Sequence, residues 1–342
     1  MENNQSPQQE TTPNQFRKFC TDIFVSEILE ELKPFEEKRK NFKKNHIQQI
    51  AIGFALISFT IVLLSIFRNY SLSKSQTNFI EAIIEVLGYV ILALIIYIII
   101  SPKFFEKEVK KVIMPKIFDK IPNFKWMKDG SIIPEEIKQF KLFGYFKIKE
   151  NDDSFFCNYK DIKISIDECK LSRDPSGDLL YPPFKGVLIL LRTDHKLTNK
   201  PVIIKADGLK NGLNKLHNKI DNALGKKNIE FSDLQKINLE DVEFEKKYDI
   251  YCADQIEARY LLTTAFMERL NNIKFAFNAN FVEASIMDNK MLIAVYTHRD
   301  LFKLANIYKS IYNFNQYKTM VEEFASILEM VDTLKINRNI GL

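Results

Sequence analysis

The stretch that decides the architecture is IAIGFALISFTIVLLSIF, Ile50–Phe67, which contains no charged side chain over 18 residues. At 1.5 Å per residue, a helix of this length spans roughly 27 Å, close to the thickness of a bilayer's hydrocarbon core. A second run, VLGYVILALIIYIII at Val86–Ile100, reaches about 30 Å when it is extended back to Ala82. The extension includes Glu85, which is tolerable near lipid headgroups and costly deeper. We therefore predict two membrane spans, at about residues 49–68 and 82–101, instead of a buried hairpin in a soluble protein.

Basic residues are distributed unevenly around these two spans. They are Lys33, Lys38, Arg39, Lys40, Lys43 and Lys44 before the first span, and Lys103, Lys107, Lys110, Lys111 and Lys116 after the second. The connecting loop, residues 68–81, holds only Arg68 and Lys74. Because Lys and Arg collect on the cytoplasmic side of a membrane, we expect both termini in the cytoplasm and the loop outside.

The segments before and after the hairpin, residues 48–101, have distinct compositions. Residues 1–14 carry no Lys or Arg and are predicted to be a disordered polar tail. Residues 15–47 and 102–119 are predicted to be amphipathic juxtamembrane helices. They could lie on the membrane with Lys toward anionic lipid headgroups, pack on each other, or pack on the protein's own folded domain.

Two prolines set the expected limits of these juxtamembrane helices. Pro34 is expected to bend or interrupt the first helix, and the second is expected to end near Pro115.

Residues 120–342 are predicted to form a cytoplasmic domain of strands and helices. Alternation between Ile162 and Ile166 is typical of a half-buried strand. Continuous apolar runs beginning at Phe184 and Lys200 predict two more strands, and the turn-like DHKLTNK between them suggests a hairpin. KYDIYC, Lys247–Cys252, is a further short strand.

The rest of this domain contains one more hairpin and several predicted helices. FVEASIM and MLIAVYT flank the turn residues Asp288, Asn289 and Lys290. Helices are predicted at GLNKLHNKIDNAL, from Asp300 through DLFKLANIYKSIYNF, and at the C-terminus. The C-terminal helix has an apolar face of Met320, Val321, Phe324, Ile327, Leu328 and Val331. Hairpins with helices among them predict an α+β fold, attached to the two-helix transmembrane hairpin, instead of a doubly wound parallel sheet.

The densest polar stretch is YCADQIEARYLLTTAFMERL, residues 251–270. Asp254 and Glu257 have the spacing of a capping box, in which each side chain satisfies a backbone N–H of the first helical turn. Thr263 or Thr264 can cap a second helix. Arg259 and Arg269 are expected to pair with carboxylates of the same domain.

A smaller polar cluster follows the predicted hairpin at His298, Arg299 and Asp300. It is interpreted as a helix cap, with anion binding or acid–base chemistry as the alternative. Together with the residues above, the candidate functional surface is Asp254, Glu257, Arg259, Arg269, His298 and Arg299. Cys252 would act as a nucleophile only if a base approached it in space.

The same stretch carries a family resemblance. FEKKYDIYCADQIEARYLLTTAFMERL, Phe244–Leu270, resembles the signature segment of the bacterial domain-of-unknown-function 3137 family. LKPFEEKRKNFKK followed by two spans, and the later THRDLF, are also similar to that family. Thr264 departs from it, because a proline is expected there. The resemblance implies a two-span membrane protein of the bacterial inner membrane and implies no reaction.

No catalytic, cofactor or metal site is predicted. The four cysteines are widely scattered, which favours reduced thiols, and the net charge of +5 does not call for nucleic acid. Two spans with few intramembrane polar residues argue against transport. The predicted function is a non-enzymatic membrane-tethered interaction or scaffolding module. Its expected partners are the lipid bilayer, anionic headgroups, and an unknown protein or a second copy. The alternative is a membrane-associated enzyme with a site near Cys252, Asp254, Arg259 and His298.

Overall fold

The chain forms two compact units. The computed structural model describes residues 12–69, 74–127, 129–174, 182–206, 233–299, 301–302 and 306–339. Unit 1 comprises Met1–Ile23, Pro115–Phe302 and Lys318–Leu342, and unit 2 comprises Phe24–Met114 and Lys303–Tyr317. The predicted domain at 120–342 therefore overlaps unit 1 only in part. Unit 1 also contains helix α1, Pro13–Ile23, and residues 303–317 belong to unit 2.

Unit 2 is built on two long helices that are apolar enough to cross a membrane. A π-helical turn, Phe24–Ile28, leads into α2 at Leu29–Asn69, and α3 spans Lys74–Phe118. The apolar stretches of both helices leave their large side chains exposed, including Phe54 at 68% and Tyr89 at 66%. Helix α3 begins at Lys74, so the connection is shorter than the predicted loop 68–81, and residues 70–73 lie outside the described part.

Neither proline interrupts its helix. Helix α2 continues through Pro34, and the irregular turn lies upstream at Phe24–Ile28. A proline removes one helical hydrogen bond; Pro34 is exposed, and its neighbours Leu32 and Glu36 are buried. Helix α3 likewise passes Pro115 and ends at Phe118. We attribute both continuations to the tertiary packing of the flanking turns.

In unit 2, a buried ion pair holds residues 306–313, which precede the last helix of the chain. Both oxygens of Glu36 accept hydrogen bonds from Arg39, at 2.7 and 2.8 Å. Arg39 also donates to the backbone O of Ile307, and the backbone N of Ile311 donates to Glu36. The helix predicted from Asp300 is wrong over residues 306–313, which form turns and an isolated bridge. These tertiary hydrogen bonds take the place of helical ones; Asp300 and residues 303–305 lie outside the described residues.

Unit 1 contains an antiparallel sheet. The described strands are β1 (Phe124–Met127), β2 (Ile148–Tyr159), β3 (Ile162–Ser172), β4 (Phe184–Arg192), β5 (Val202–Ala206), β6 (Gln235–Ile237), β7 (Tyr248–Cys252), β8 (Phe281–Met287) and β9 (Lys290–Tyr296). Their spatial order is β1-β2-β3-β4-β9-β8-β5-β7-β6. The sheet with its helices confirms the mixed helix and antiparallel sheet fold. The predicted β8–β9 hairpin is confirmed, with its turn at Asp288 and Asn289.

The hairpin predicted between the strands at Phe184 and Lys200 is wrong. Strand β4 pairs with β3 and β9, and β5 pairs with β7 and β8. The β8–β9 hairpin therefore lies between β4 and β5. Each of these neighbouring strands carries buried apolar side chains, so the side-chain pattern could not distinguish the pairing that exists from the local one. The strand predicted between Ile162 and Ile166 lies within β3, and a turn at Lys160 and Asp161 separates it from β2.

Both faces of the sheet are buried, which explains the continuous apolar runs of β4 and β9. On one face Leu188, Leu190 and Leu292 join a cluster with Phe140 and Phe184. On the other face aromatic rings pack together, with Phe155 centred 5.0 Å from Phe324 and 4.6 Å from Phe302.

The remaining described helices are α4 (Pro134–Gln139), α5 (Val242–Glu245), α6 (Gln255–Leu261), α7 (Thr264–Ala276) and α8 (Phe314–Asn339). The predicted apolar face of the C-terminal helix is buried on α8. The helix predicted at GLNKLHNKIDNAL lies outside the described residues.

Candidate functional site

The polar stretch at residues 251–270 has structural roles. Strand β7 ends at Cys252, and Asp254 caps α6 by accepting hydrogen bonds from the backbone N of Ile256 and Glu257, at 2.9 and 3.2 Å. Glu257 does not reach back as a capping box requires. It accepts instead from the backbone N of Asn199. Both acids are therefore bonded to backbone, and the helix start is explained without chemistry.

The other polar residues of this stretch also contact the protein's own groups, and the contact of Arg259 differs from the predicted one. Thr263 caps α7 by accepting from the backbone N of Phe266. Arg269 pairs with Glu329 of α8 at 3.2 Å, as expected for a carboxylate partner. Arg259 was expected to meet a carboxylate, but its guanidinium donates to the backbone O of Asn238 at 3.4 Å.

Cys252 and the pair His298 and Arg299 make separate contacts. The Cys252 thiol donates to the backbone O of Asp254 at 3.2 Å, and burial raises the pKa of this thiol. His298 and Arg299 are exposed after β9, where the backbone N of Arg299 donates to Thr297. Across the described residues, no hydrogen bond or ion pair joins His298 to Cys252, Asp254 or Arg259. Nucleophilic catalysis requires a base next to the thiol, and the described contact of the Cys252 thiol is a backbone oxygen.

A fully buried carboxylate lies elsewhere in unit 1, at Asp167 of β3. It accepts from the backbone N of Ser131 and Ile132, from the Ser131 hydroxyl at 2.9 Å, and from Lys149 at 2.5 Å. Four donors satisfy this charge, which makes Asp167 an anchor for the loop before α4. Sequence reasoning missed it, because Ser131 and Lys149 are distant from Asp167 in the chain.

A group of three acids lies nearby, at Asp152, Asp153 and Glu168. One oxygen from each lies within 4.8 Å of the others. Trp126 donates to Asp153 at 3.1 Å, and the backbone N of Leu301 donates to Glu168 at 3.0 Å. The register shift between Asn151 and Ser154 places Asp152 and Asp153 in a bulge of β2. Hard cations take six or more oxygen ligands. This group offers three, one from each carboxylate, and two of the carboxylates already accept hydrogen bonds from the protein.

Glu323 of α8 is a buried acid of a different kind. It is 2% exposed, and its Oε2 has no hydrogen-bond partner within the described residues. Burial raises the pKa of this carboxyl to about 8, and the charge of Arg299 acts in the opposite direction. At neutral pH the side chain is therefore mostly protonated, which is how a protein tolerates a buried acid without an ion-pair partner.

Helix α1 packs on the folded domain, which is one of the three alternatives left open by the sequence. The Phe16 ring stacks on Phe124 at 5.3 Å. Arg17 pairs with Glu322 at 2.8 Å and with Glu329 at 2.9 Å. Glu329 thus joins α1 and, through Arg269, α7 to the same face of α8.

A groove of about 880 Å³ lies beside α1 in unit 1. It is bordered by α1, the segment before β1, and the β2–β3 turn. Its lining includes the rings of Phe16, Phe19, Phe124 and Tyr159 and the charged residues Lys18, Asp22, Lys160, Asp161, Lys163 and Asp194. Lys160 is paired with Asp332 at 2.7 Å.

Ligand recognition is the chemistry that this groove offers. An aromatic surface with charges of both signs at its edge can bind a partly apolar ligand or a peptide, and the lining residues include no cysteine or histidine. None of the six predicted surface residues lines it. Sequence reasoning missed this site because the groove exists only where α1 packs on the sheet.

Comparison with known proteins matches the C-terminal part of the chain to a family model. Residues 183–336 match the family model described as Protein of unknown function (DUF3137). A search of curated proteins and a search of solved structures gave no match. The matched residues run from the start of β4 into α8 and include the polar stretch at 251–270. The match over residues 183–336 thus supports the family resemblance that the sequence indicated.

Proposed function

We propose that this chain is an integral membrane protein with two spans, whose unit 1 is a non-enzymatic interaction module held at the membrane. The observation that carries the proposal is the exposure of the apolar helices. Over the most apolar window of each helix, 6% and 0% of the residues are buried. An uncovered apolar surface of this size in water would be a strong liability for aggregation, and lipid is a solvent that removes the cost.

The proposed orientation places both termini in the cytoplasm of a bacterial cell, with the short connection outside. The basic residues before α2's apolar run and after that of α3 support it, because such residues accumulate on the cytoplasmic side. The same lysines would meet anionic lipid headgroups.

Reporter fusions test this orientation. A reporter that is active only outside the cytoplasm should be silent when fused after Leu342 and active when inserted at residues 70–73. An active fusion at Leu342 would overturn the orientation. Resistance of the protein to alkaline extraction from membranes tests the spans independently of their direction.

The interaction role is supported by the groove beside α1, which offers recognition chemistry. Phe19 is 37% exposed in the groove, and Phe275 is 75% exposed on α7 outside it. The two residues therefore form a matched pair of exposed phenylalanines. A second copy of the chain or another protein would contact the first and leave the second free.

Affinity purification of the tagged full-length chain from gently solubilised native membranes tests this role. We expect a protein recovered in near-equal amount with the unmodified chain and with Phe275→Ala, and lost with Phe19→Ala. Equal recovery with both variants would exclude the groove as the contact. Recovery of the chain alone and as a single copy would overturn the interaction module and turn the search to lipid binding or catalysis.

A further inference from the structure

Two buried polar side chains lie on the two long helices of unit 2. His46 of α2 is 3% exposed and Ser101 of α3 is 7% exposed. Neither Nδ1 of His46 nor Oγ of Ser101 has a hydrogen-bond partner within the part of the chain that the structure describes. A buried polar group without a partner costs about 1–3 kcal/mol, and such groups in native proteins usually bind an ordered water.

The helix register places these two side chains opposite each other. The rings of Phe42 and Phe105 are 5.0 Å apart, so these positions of the antiparallel helices are level. His46 follows Phe42 by four residues, and Ser101 precedes Phe105 by four. A second contact agrees with this register. Gly53 follows His46 by seven residues and Leu94 precedes Ser101 by seven, and a Cβ added at Gly53 would lie 3.2 Å from the Leu94 side chain.

Two aromatic rings lie next to the histidine. The Phe42 ring lies 6.2 Å from the imidazole, and Tyr308 presents its edge at 6.0 Å. Apolar surroundings strengthen any hydrogen bond formed there and raise the cost of leaving one unmade.

We propose that His46 and Ser101 form a small buried binding site for a water molecule, which bridges Nδ1 of His46 and Oγ of Ser101. The neutral imidazole accepts at Nδ1 when its proton is on Nε2, and a serine hydroxyl both donates and accepts. One water can therefore donate to the ring and exchange a second hydrogen bond with the hydroxyl. One nitrogen and one hydroxyl are too few ligands for a structural metal ion, which takes four or more.

This site lies where α2 and α3 approach the apolar runs of the hairpin. Here a bound water would join the helices through polar contacts, next to the stack of Phe42 on Phe105. The inference does not depend on the interaction role of unit 1 or on the orientation of the spans.

Nuclear magnetic resonance of the full chain, labelled with ¹⁵N in its histidine rings and held in detergent micelles, tests the site. The resonance that disappears in His46→Gln is that of His46. We expect an Nδ1 frequency typical of a hydrogen-bonded acceptor and a cross-peak between the His46 ring and water. In Ser101→Ala the Nδ1 resonance should shift toward the unbonded frequency, and the water cross-peak should be lost.

Two variants control for general effects of substitution. Ser101→Thr keeps the hydroxyl and should keep both signals. Ser58→Ala removes a serine of α2 that is exposed and bonded to the backbone O of Phe54, so the His46 signals should not change. An unchanged His46 resonance in folded Ser101→Ala would overturn the proposal. Should that variant not fold, the water cross-peak of the unmodified protein decides, and its absence would overturn the proposal.

Discussion

The apolar run of α2 and the apolar strand β4 have similar side chains and opposite surroundings. Ile61 and Leu64 are 61% and 46% exposed, whereas Val187 and Leu190 are 0% exposed. The length of the apolar run distinguishes the exposed helix from the buried strand. An uncharged run of 18 residues makes a helix long enough for a bilayer, and a run of nine residues makes a strand buried between two layers. Apolar composition alone therefore does not indicate which solvent a segment meets.

The largest expected effect comes from placing a carboxylate in each region. Leu190→Asp should unfold unit 1, with a loss of about 4 kcal/mol or more, because a charge buried among apolar side chains has no partner. Ile61→Asp should leave the unfolding midpoint of unit 1 unchanged and reduce membrane insertion, at a cost of about 2.5–3.5 kcal/mol.

Urea unfolding followed by the fluorescence of Trp126, the single tryptophan, measures the first effect. The fraction resistant to alkaline extraction measures the second. If Ile61→Asp lowered the midpoint as far as Leu190→Asp and left membrane insertion intact, α2 would be a core helix and the comparison would fail.

Two glycines sharpen the same contrast. Gly186 of β4 has a φ of +151°, and a Cβ there would lie 1.9 Å from the backbone O of Val295. Gly186→Ala should destabilise unit 1 by about 3 kcal/mol or more, since neighbouring backbone must move. Gly88 of α3 has nothing within 4 Å of an added Cβ, so Gly88→Ala should have little effect. Equal midpoints in urea would show that β4 and β9 are not packed as described.

The buried carboxyl of Glu323 predicts a pH dependence that the exposed hairpin lacks. Its pKa is about 8 in the folded state against 4.5 for the ordinary group. Below the lower value both states are protonated, so the group has no effect. As the pH rises toward 8, the unfolded state releases its proton first and stability falls.

Between pH 6 and pH 8 this group should remove on the order of 2 kcal/mol. Glu323→Gln should flatten that slope in urea titrations followed by Trp126 fluorescence, while Glu135→Gln, an exchange at an exposed glutamate of α4, should retain it. A slope that Glu323→Gln leaves unchanged would show that Glu323 is ionised in the folded protein.

The smallest expected effect comes from the helix cap in the polar stretch. Asp254→Ala should cost about 1 kcal/mol, because two backbone N–H groups of α6 lose their acceptor. Asp194→Ala, at an exposed aspartate, serves as the matched control and should leave the midpoint unchanged. A loss of several kcal/mol with Asp254→Ala would indicate a larger role for this residue than capping.

Local signals in the sequence were sufficient for several features. Asp254 and either Thr263 or Thr264 are predictable caps, because a cap needs one side chain and the backbone two or three residues later; the structure shows that the second cap is Thr263. The β8–β9 hairpin follows from two apolar strands around a short polar turn. The two apolar helices follow from run length alone.

Features that join distant parts of the chain could not be read in this way. The pairing of β4 with β9, the donors around Asp167, the burial of Glu323 and the groove beside α1 each depend on residues that are far apart in sequence. The segment at 306–313 has a helical pattern, yet hydrogen bonds from Glu36 and Arg39 hold it in turns.

The sequence by itself thus determined the two apolar helices, the starts of α6 and α7 and the β8–β9 hairpin, since each depends on a run length or on neighbours a few residues away. Only the tertiary structure decided the strand order, the hydrogen bonding of Asp167 and burial of Glu323, and the packing of α1 on unit 1. The physical reason is that burial and long-range hydrogen bonding depend on which surfaces meet, and apolar strands and amphipathic helices fit more than one partner until the whole core is assembled.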